Sequence, residues 1–224
     1  MSFSIPVVRA PVVGAEEGFP VRRVYCVGAN YRQHALEMGL DPAREPPFFF
    51  MKPYDAVMPN GAVIPYPPMT SDYHFELELV AAIGAAGTDV PVERAGELIY
   101  GYGVGLDMTR RDLQAEARQK RTPWDLSKGF DHSAPLGPIT PMPGVLMDKG
   151  AIELTVNGEV RQSSDLSQLI WSVAEIISIL SRYGALAPGD LIYTGTPAGV
   201  GAVVKGDRLH GRIDGLEDLS ISIG

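Results

Sequence analysis

Glu76 and Glu78 stand one residue apart in His74-Phe75-Glu76-Leu77-Glu78-Leu79. On an extended chain side chains alternate faces, so the two carboxylates share one face while Phe75, Leu77 and Leu79 occupy the other. The stretch continues as VAAIG without a polar residue, which predicts a strand running into the core with the acidic pair near its start. Neighbouring carboxylates repel, and burial adds to the cost unless a cation or a proton is shared. Asp107, at the end of the run YGYGVGL, offers a third oxygen ligand. Such a set selects a hard cation, Mg²⁺ or Mn²⁺ rather than Zn²⁺, and leaves coordination positions for water and substrate oxygens. The alternative is a solvated strand face bearing Glu76 and Glu78, with Asp107 capping the helix that follows.

Other groups could supply chemistry. His34 and Glu37 are three apart in NYRQHALEMG, so on a helix they project to one side and can form a general base for water, or simply an exposed pair. Lys128 lies in DLSKGFDHSAP, a loop rich in glycine, proline and polar residues where a lysine is usually only solvated. The turn Thr194-Gly195-Thr196-Pro197 ends an apolar strand and offers hydroxyls and backbone N–H groups to an anion, or is only a tight loop. Arg111 and Gln114, one turn apart, face the same side of a helix after Asp107 and can contact substrate or brace the ligands.

The elements that must position these residues are mostly strands. Arg22–Gly28, Phe48–Lys52, Ala62–Tyr66 and Phe75–Ile83 read as strands, and the glycine-rich run before Asp107 marks a close approach by backbone or ligand. A helix is expected near Val92–Ile99, and a short one after Asn30, closed by Gly39 ahead of a proline-rich loop over Asp41–Pro47. Thr109 and Asp112 have the spacing of a capping box for the helix RRDLQAEARQK. Asn157-Gly158, between Ile152–Val156 and Glu159–Gln162, is a type I′ hairpin signal. Leu169, Ile170, Val173, Ile176, Ile177 and Leu180 recur at helical spacing, with Ser164 or Asp165 as cap and Gly184 as terminator. Strands outnumber helices and no regular βαβ alternation appears, so a mainly β fold with peripheral helices is expected rather than a doubly wound sheet.

At 224 residues, 45% hydrophobic and 21% charged, the chain can bury a full core. A net charge of -8 gives no cationic field for nucleic acid or an anionic membrane, and favours a small-molecule partner. No apolar run is long enough to span a bilayer and the N-terminus lacks a basic-then-apolar leader, so the cytoplasm is the expected compartment. Cys26 is the single cysteine, which excludes intrachain disulfides and thiolate zinc sites; a buried, inert thiol is expected there.

Taken in order, VGANYRQHALEM, PFFFMKPYDAV, HFELELVAAIG, GYGVGLDMTRRDLQ, PWDLSKGFDHSAPLGP, VNGEVRQ and LIYTGTPAGVG resemble the fumarylacetoacetate hydrolase family from about Val24 to the C-terminus. The resemblance is strongest to its members that cleave fumarylpyruvate in bacterial gentisate breakdown. It implies a mixed β-roll of the family's C-terminal-domain type, a homodimer, and a division into a small N-terminal strand region (1–20) and a metal-dependent catalytic domain (21–224). It also implies metal ligation by Glu76, Glu78 and Asp107, catalysis by His34, Glu37 and Lys128, and substrate contacts from Arg111, Gln114 and Thr196. The helix bearing His34 and Glu37 would belong to a lid. The implied reaction is hydrolysis of a carbon–carbon bond in an acylpyruvate, foremost 3-fumarylpyruvate to fumarate and pyruvate. Oxaloacetate decarboxylation, diacid isomerisation or silent metal binding are the alternatives. Arg32, Arg110 and Arg121 are candidates for the far carboxylate of such a substrate.

Overall fold

The apolar run after Glu76 forms the centre of the molecule. In a computed structural model that describes residues 4–37, 39 and 45–224, every residue of the Leu77–Ile83 strand is buried. It pairs antiparallel with the glycine-rich Ile99–Leu106 strand, Glu78 standing opposite Gly105. An eight-stranded mixed sheet is built around this pair. Its order is Phe48–Lys52, Arg23–Gly28, Asp190–Tyr193, Leu77–Ile83, Ile99–Leu106, Ala134–Leu136 and Val57–Pro59, with Thr140–Pro141 also on Ile99–Leu106. A five-stranded sheet, carrying the Ala151–Val156/Glu159–Asp165 hairpin and the C-terminal strands, packs beside it. The fold is mainly β with peripheral helices, as the sequence predicts.

The glycines of Ile99–Leu106 make room for protein rather than ligand. A Cβ on Gly101 would lie 2.2 Å from the Thr140 carbonyl oxygen, and one on Gly105 would meet Val80 and the Tyr193 ring at 2.5 and 2.6 Å. Ahead of these sheets, Arg9–Ala10 and Phe19–Pro20 form a two-stranded ribbon whose buried Ala10 and Phe19 pack with Val80, Leu136 and Tyr193.

Several local expectations are corrected. The strand over Phe75–Ile83 is interrupted at Glu76: Tyr73–Phe75 belongs to a separate three-stranded sheet with Thr109–Arg110 and Gly201–Ala202. The Val92–Leu98 segment is 3₁₀ rather than α. The Arg111–Lys120 helix has no side-chain cap. Thr109, wholly buried, is a strand residue paired with His74 and donates its hydroxyl to the Asp107 carbonyl, while Asp112 binds Thr70 and Ser71.

The apolar helix runs only over Val173–Tyr183, entered through a capping box of Ser172 and Glu175. Leu169 and Ile170 are held outside it by pairing with Tyr31 and Asn30, so long-range hydrogen bonds override the helical spacing. Asp165 instead caps a 3₁₀ turn over Leu166–Gln168. Five apolar residues of the helix, Val173, Ala174, Ile176, Ile177 and Leu180, are buried, and each of the larger ones contributes about 1.5–3 kcal/mol. The hairpin turn is as expected, with φ of 54° at Asn157 and 84° at Gly158. Cys26 is buried, and burial, reinforced by Asp107, pushes its thiol well up. The short helix spans Arg32–Glu37. Met38 and residues 41–44 of the expected proline-rich loop lie outside the described residues. Among the described residues no helix is long and apolar enough to cross a membrane.

Candidate active site

The break at Glu76 turns the chain from one sheet into another and places its carboxylate beside those of Glu78 and Asp107. Asp107 donates its N–H to the Glu76 carbonyl at 2.8 Å, so these two carboxylate-bearing positions sit opposite each other where the strand pair ends. One oxygen from each of the three carboxylates lies within 4.8 Å of the others, and all three residues are buried. The solvated-face alternative is therefore excluded for Glu76 and Glu78.

Three cations enclose this acidic cluster. Lys128, itself buried, donates to Glu76 Oε2 and Asp107 Oδ2 at 2.7 Å each, and to Thr109 Oγ1 at 2.6 Å. Arg111 grips Glu76 Oε1 at 2.5 Å and also reaches the Gln114 side-chain oxygen. Lys52, a residue that motif spacing did not single out, places Nζ 2.8 Å from Asp107 Oδ1 and donates to the Met108 carbonyl. Its alignment to Oδ1 is not that of a hydrogen bond, so this buried oxygen has no hydrogen-bond partner.

Burial would raise Glu76, but Lys128 and Arg111 outweigh it and hold the carboxyl well below the ordinary range. Glu78 has the opposite balance. Burial, with Asp107 and Glu76 added, pushes its carboxyl well up against the opposing Gly195 N–H and Lys128. Burial would also lower Lys128, yet Asp107 and Glu76 hold its ammonium above the ordinary value, so it stays charged. A strongly raised carboxyl beside two others, with an oxygen on the third that accepts no hydrogen bond, is the environment a hard divalent cation relieves. The donor set fits Mg²⁺ or Mn²⁺.

The remaining groups are arranged by the loop after the Asp190–Tyr193 strand. Gly195, at φ 104°, donates its N–H to Glu78 Oε2 at 2.7 Å. A Cβ there would lie 2.6 Å from that of Asn30, which is why glycine is needed. Asn30 in turn binds the Thr194 carbonyl and both backbone groups of Trp171, anchoring the start of the short helix. Gln162 crosses from the five-stranded sheet: its Oε1 accepts the Leu77 N–H, and its Nε2 donates to Thr196 Oγ1 and the Pro197 carbonyl. Gly199 donates its N–H to Glu37, whose Oε2 lies 3.4 Å from His34 Nδ1.

These residues meet in one cavity of about 120 Å³, space for roughly four water molecules. Glu76, Glu78, Asp107, Lys128, Gln114, Thr196 and the buried His34 all line it. Arg111 and Glu37 stand one contact behind, on Glu76 and His34. Arg110 is engaged elsewhere, its guanidinium 4.2 Å over the Phe130 ring and bonded to the Leu126 carbonyl. Arg32 and Arg121 are exposed and do not line the cavity.

The sequence profile described as "Fumarylacetoacetate (FAA) hydrolase C-terminal" matches residues 23–223. The chain belongs to the fumarylacetoacetate hydrolase family. Within this family it is 52% identical over 185 residues to a fumarylpyruvate hydrolase of Ralstonia sp, covering 83% of this chain and 96% of the relative. It superposes with a TM-score of 0.96 on the crystal structure of fumarylpyruvate hydrolase from Pseudomonas aeruginosa in complex with Mn²⁺ and pyruvate, at 55% identity over 99% of this chain and 97% of that one. The mixed β-roll of the fumarylacetoacetate hydrolase family is thus the fold of this chain. A more distant member, the mitochondrial oxaloacetate decarboxylase of Dictyostelium discoideum, is 39% identical over 199 residues, 88% of this chain and 90% of its own.

Proposed function

We propose that the chain is a Mg²⁺- or Mn²⁺-dependent hydrolase that cleaves an acylpyruvate between its two carbonyls, with 3-fumarylpyruvate, giving fumarate and pyruvate, as its main substrate. The observation that carries this reading is the convergence of three buried carboxylates, a charged lysine and a histidine–glutamate pair on one cavity. Identity above 50% to two fumarylpyruvate hydrolases supports the choice of substrate.

Glu76, Glu78 and Asp107 hold the metal, which supplies Lewis-acid stabilisation for negative charge developing on the pyruvyl oxygens. His34 Nδ1 faces Glu37, which leaves Nε2 as the base toward water. His34 takes a proton from a water whose oxygen forms a bond to the distal acyl carbon. The bond from that carbon to the methylene then breaks, its electrons pass to the pyruvyl half as an enolate, and a proton returned to the methylene carbon gives pyruvate. Lys128, held charged by its acidic partners, donates hydrogen bonds to substrate oxygens as the enolate forms, and the proton held by His34 is the one returned to the methylene carbon. Thr196 Oγ1 accepts from Gln162, so its own hydroxyl proton is available to the pyruvyl carboxylate. Gln114 gives its oxygen to Arg111, which directs its amide N–H groups to substrate. The reading includes a cytoplasmic homodimer, which sedimentation of the purified protein tests for assembly.

The decarboxylase relative supports a second reading, loss of CO₂ from oxaloacetate, which needs the same enolate stabilisation but no attacking water. The test is loss of enol absorbance for fumarylpyruvate, acetylpyruvate and oxaloacetate by protein supplied with Mn²⁺ or Mg²⁺. Folded protein that leaves both acylpyruvates intact overturns the hydrolase reading. His34→Ala is expected to abolish acylpyruvate hydrolysis while sparing any decarboxylation. Glu76→Gln is expected to weaken calorimetric Mn²⁺ binding and turnover together.

A further inference from the structure

Fumarylpyruvate carries a carboxylate at each end, and the reading above assigns Thr196 to the pyruvyl one and no residue to the far one. The Arg111–Lys120 helix begins on the carboxylate cluster, where Arg111 binds Glu76. Arg111, Gln114 and Arg118 fall at i, i+3 and i+7 and share one helix face. The first reaches Glu76, the second is buried in the cavity wall, and the third lines the same cavity while being exposed to solvent. Among the described residues that line the cavity, Arg118 is the one arginine.

The spacing suits the substrate. Gln114 to Arg118 is a rise of roughly 6 Å along the helix. Five bonds separate the keto carbon beside the pyruvyl carboxylate from the far carboxylate carbon, a reach of roughly 6 Å when extended. The same cavity has an aromatic wall: the Trp124 ring packs against Phe48 and Phe50, with centroids 5.3 and 5.8 Å apart. A flat conjugated C=C segment fits such a wall, and a planar guanidinium fork lining the same cavity suits a carboxylate.

We propose that Arg118 is the specificity-determining residue that receives the distal carboxylate of a dicarboxylate acylpyruvate, an inference that rests on the acylpyruvate reading above. The test compares Arg118→Gln and Arg118→Lys with the wild type on fumarylpyruvate, which has the second carboxylate, and acetylpyruvate, which lacks it. Residue 118 is exposed, so both replacements are expected to leave the fold intact, which unchanged urea midpoints check. The ratio of kcat/KM on fumarylpyruvate to that on acetylpyruvate is expected to fall about tenfold in Arg118→Gln, chiefly through KM for fumarylpyruvate, and less in Arg118→Lys. An unchanged ratio overturns the inference.

A binding measurement separates this failure from that of the functional reading. Fumarate is titrated calorimetrically into Mn²⁺-loaded, pyruvate-saturated protein, with the monocarboxylate crotonate as control. If the wild type hydrolyses neither acylpyruvate, the functional reading falls, and the role of Arg118 is still decided here. A preference for fumarate over crotonate that is lost in Arg118→Gln supports it; no preference, or one that survives the replacement, overturns it.

Discussion

Replacing Gln162 by leucine isolates the contribution of a side chain that touches no reacting group yet joins two parts of the site. Leucine has similar volume, so the change removes hydrogen bonds without opening a large cavity. Gln162 is 1% exposed and makes three of them, to the Leu77 N–H, Thr196 Oγ1 and the Pro197 carbonyl. The threonine hydroxyl can rotate to another partner, but the two backbone groups cannot move. Each buried backbone group left without its partner costs about 1–3 kcal/mol, so the expected loss is roughly 2–6 kcal/mol, a large share of the ~5–15 kcal/mol that stabilises a domain. With a urea dependence near ~3 kcal/mol per molar, the unfolding midpoint falls by roughly 1–2 M at unchanged slope. Because Thr196 also loses its brace, KM for acylpyruvates rises. A midpoint within about 0.2 M of wild type would refute the claim that this side chain ties the Leu77 strand to the Thr196 turn.

Two further outcomes follow from the same structure. Burial together with Asp107 and Glu76 raises Glu78 well above the ordinary carboxyl range, so the metal-free site holds a proton there more tightly than a free glutamate does, and an incoming cation competes with it. Apparent Mn²⁺ affinity is therefore expected to rise with pH, and heats of titration to differ between buffers of different ionisation enthalpy; equal heats would show that no proton leaves. Gly101→Ala forces a methyl group to 2.2 Å from the Thr140 carbonyl oxygen, which is expected to cost about 2–3 kcal/mol and lower the melting temperature by ~5–10 °C. A melting temperature unchanged by calorimetry would mean that the Ile99–Leu106 and Thr140–Pro141 strands can part freely.

The carboxylate pair was legible because strand alternation is a strict local rule, and the apolar run behind it correctly marked the core. What spacing could not supply was the change of sheet at Glu76, which depends on Tyr73–Phe75 finding Thr109–Arg110 and Gly201–Ala202. Lys52 escaped notice for a similar reason. A lysine ending the apolar strand FFFMK reads as a surface terminus until the fold brings Met108 and Asp107 against it. The apolar helix starts later than its period predicts because Leu169 and Ile170 match that period but are claimed by Tyr31 and Asn30, far away in the chain. Sequence alone does not choose among Arg32, Arg110 and Arg121 as the cation for a distal carboxylate. The helix face shared by Arg111, Gln114 and Arg118 was present in the sequence as a seven-residue interval and pointed to a different arginine.

The loop from Thr194 to Gly199 touches Glu78 through Gly195, carries Thr196, and holds Glu37 through Gly199. One short piece of main chain therefore sets the positions of Glu78, Thr196 and Glu37, the proposed ligand, substrate clasp and partner of the base, at once. An insertion within it would displace all of them together, so the loop has almost no room to vary in length. The far turn of the Arg111–Lys120 helix is under no such restraint, and a residue there can change what the cavity admits while the reacting centre stays as it is. Divergence toward new acyl groups is expected to be recorded at the outer end of that helix, with the loop as its invariant counterpart.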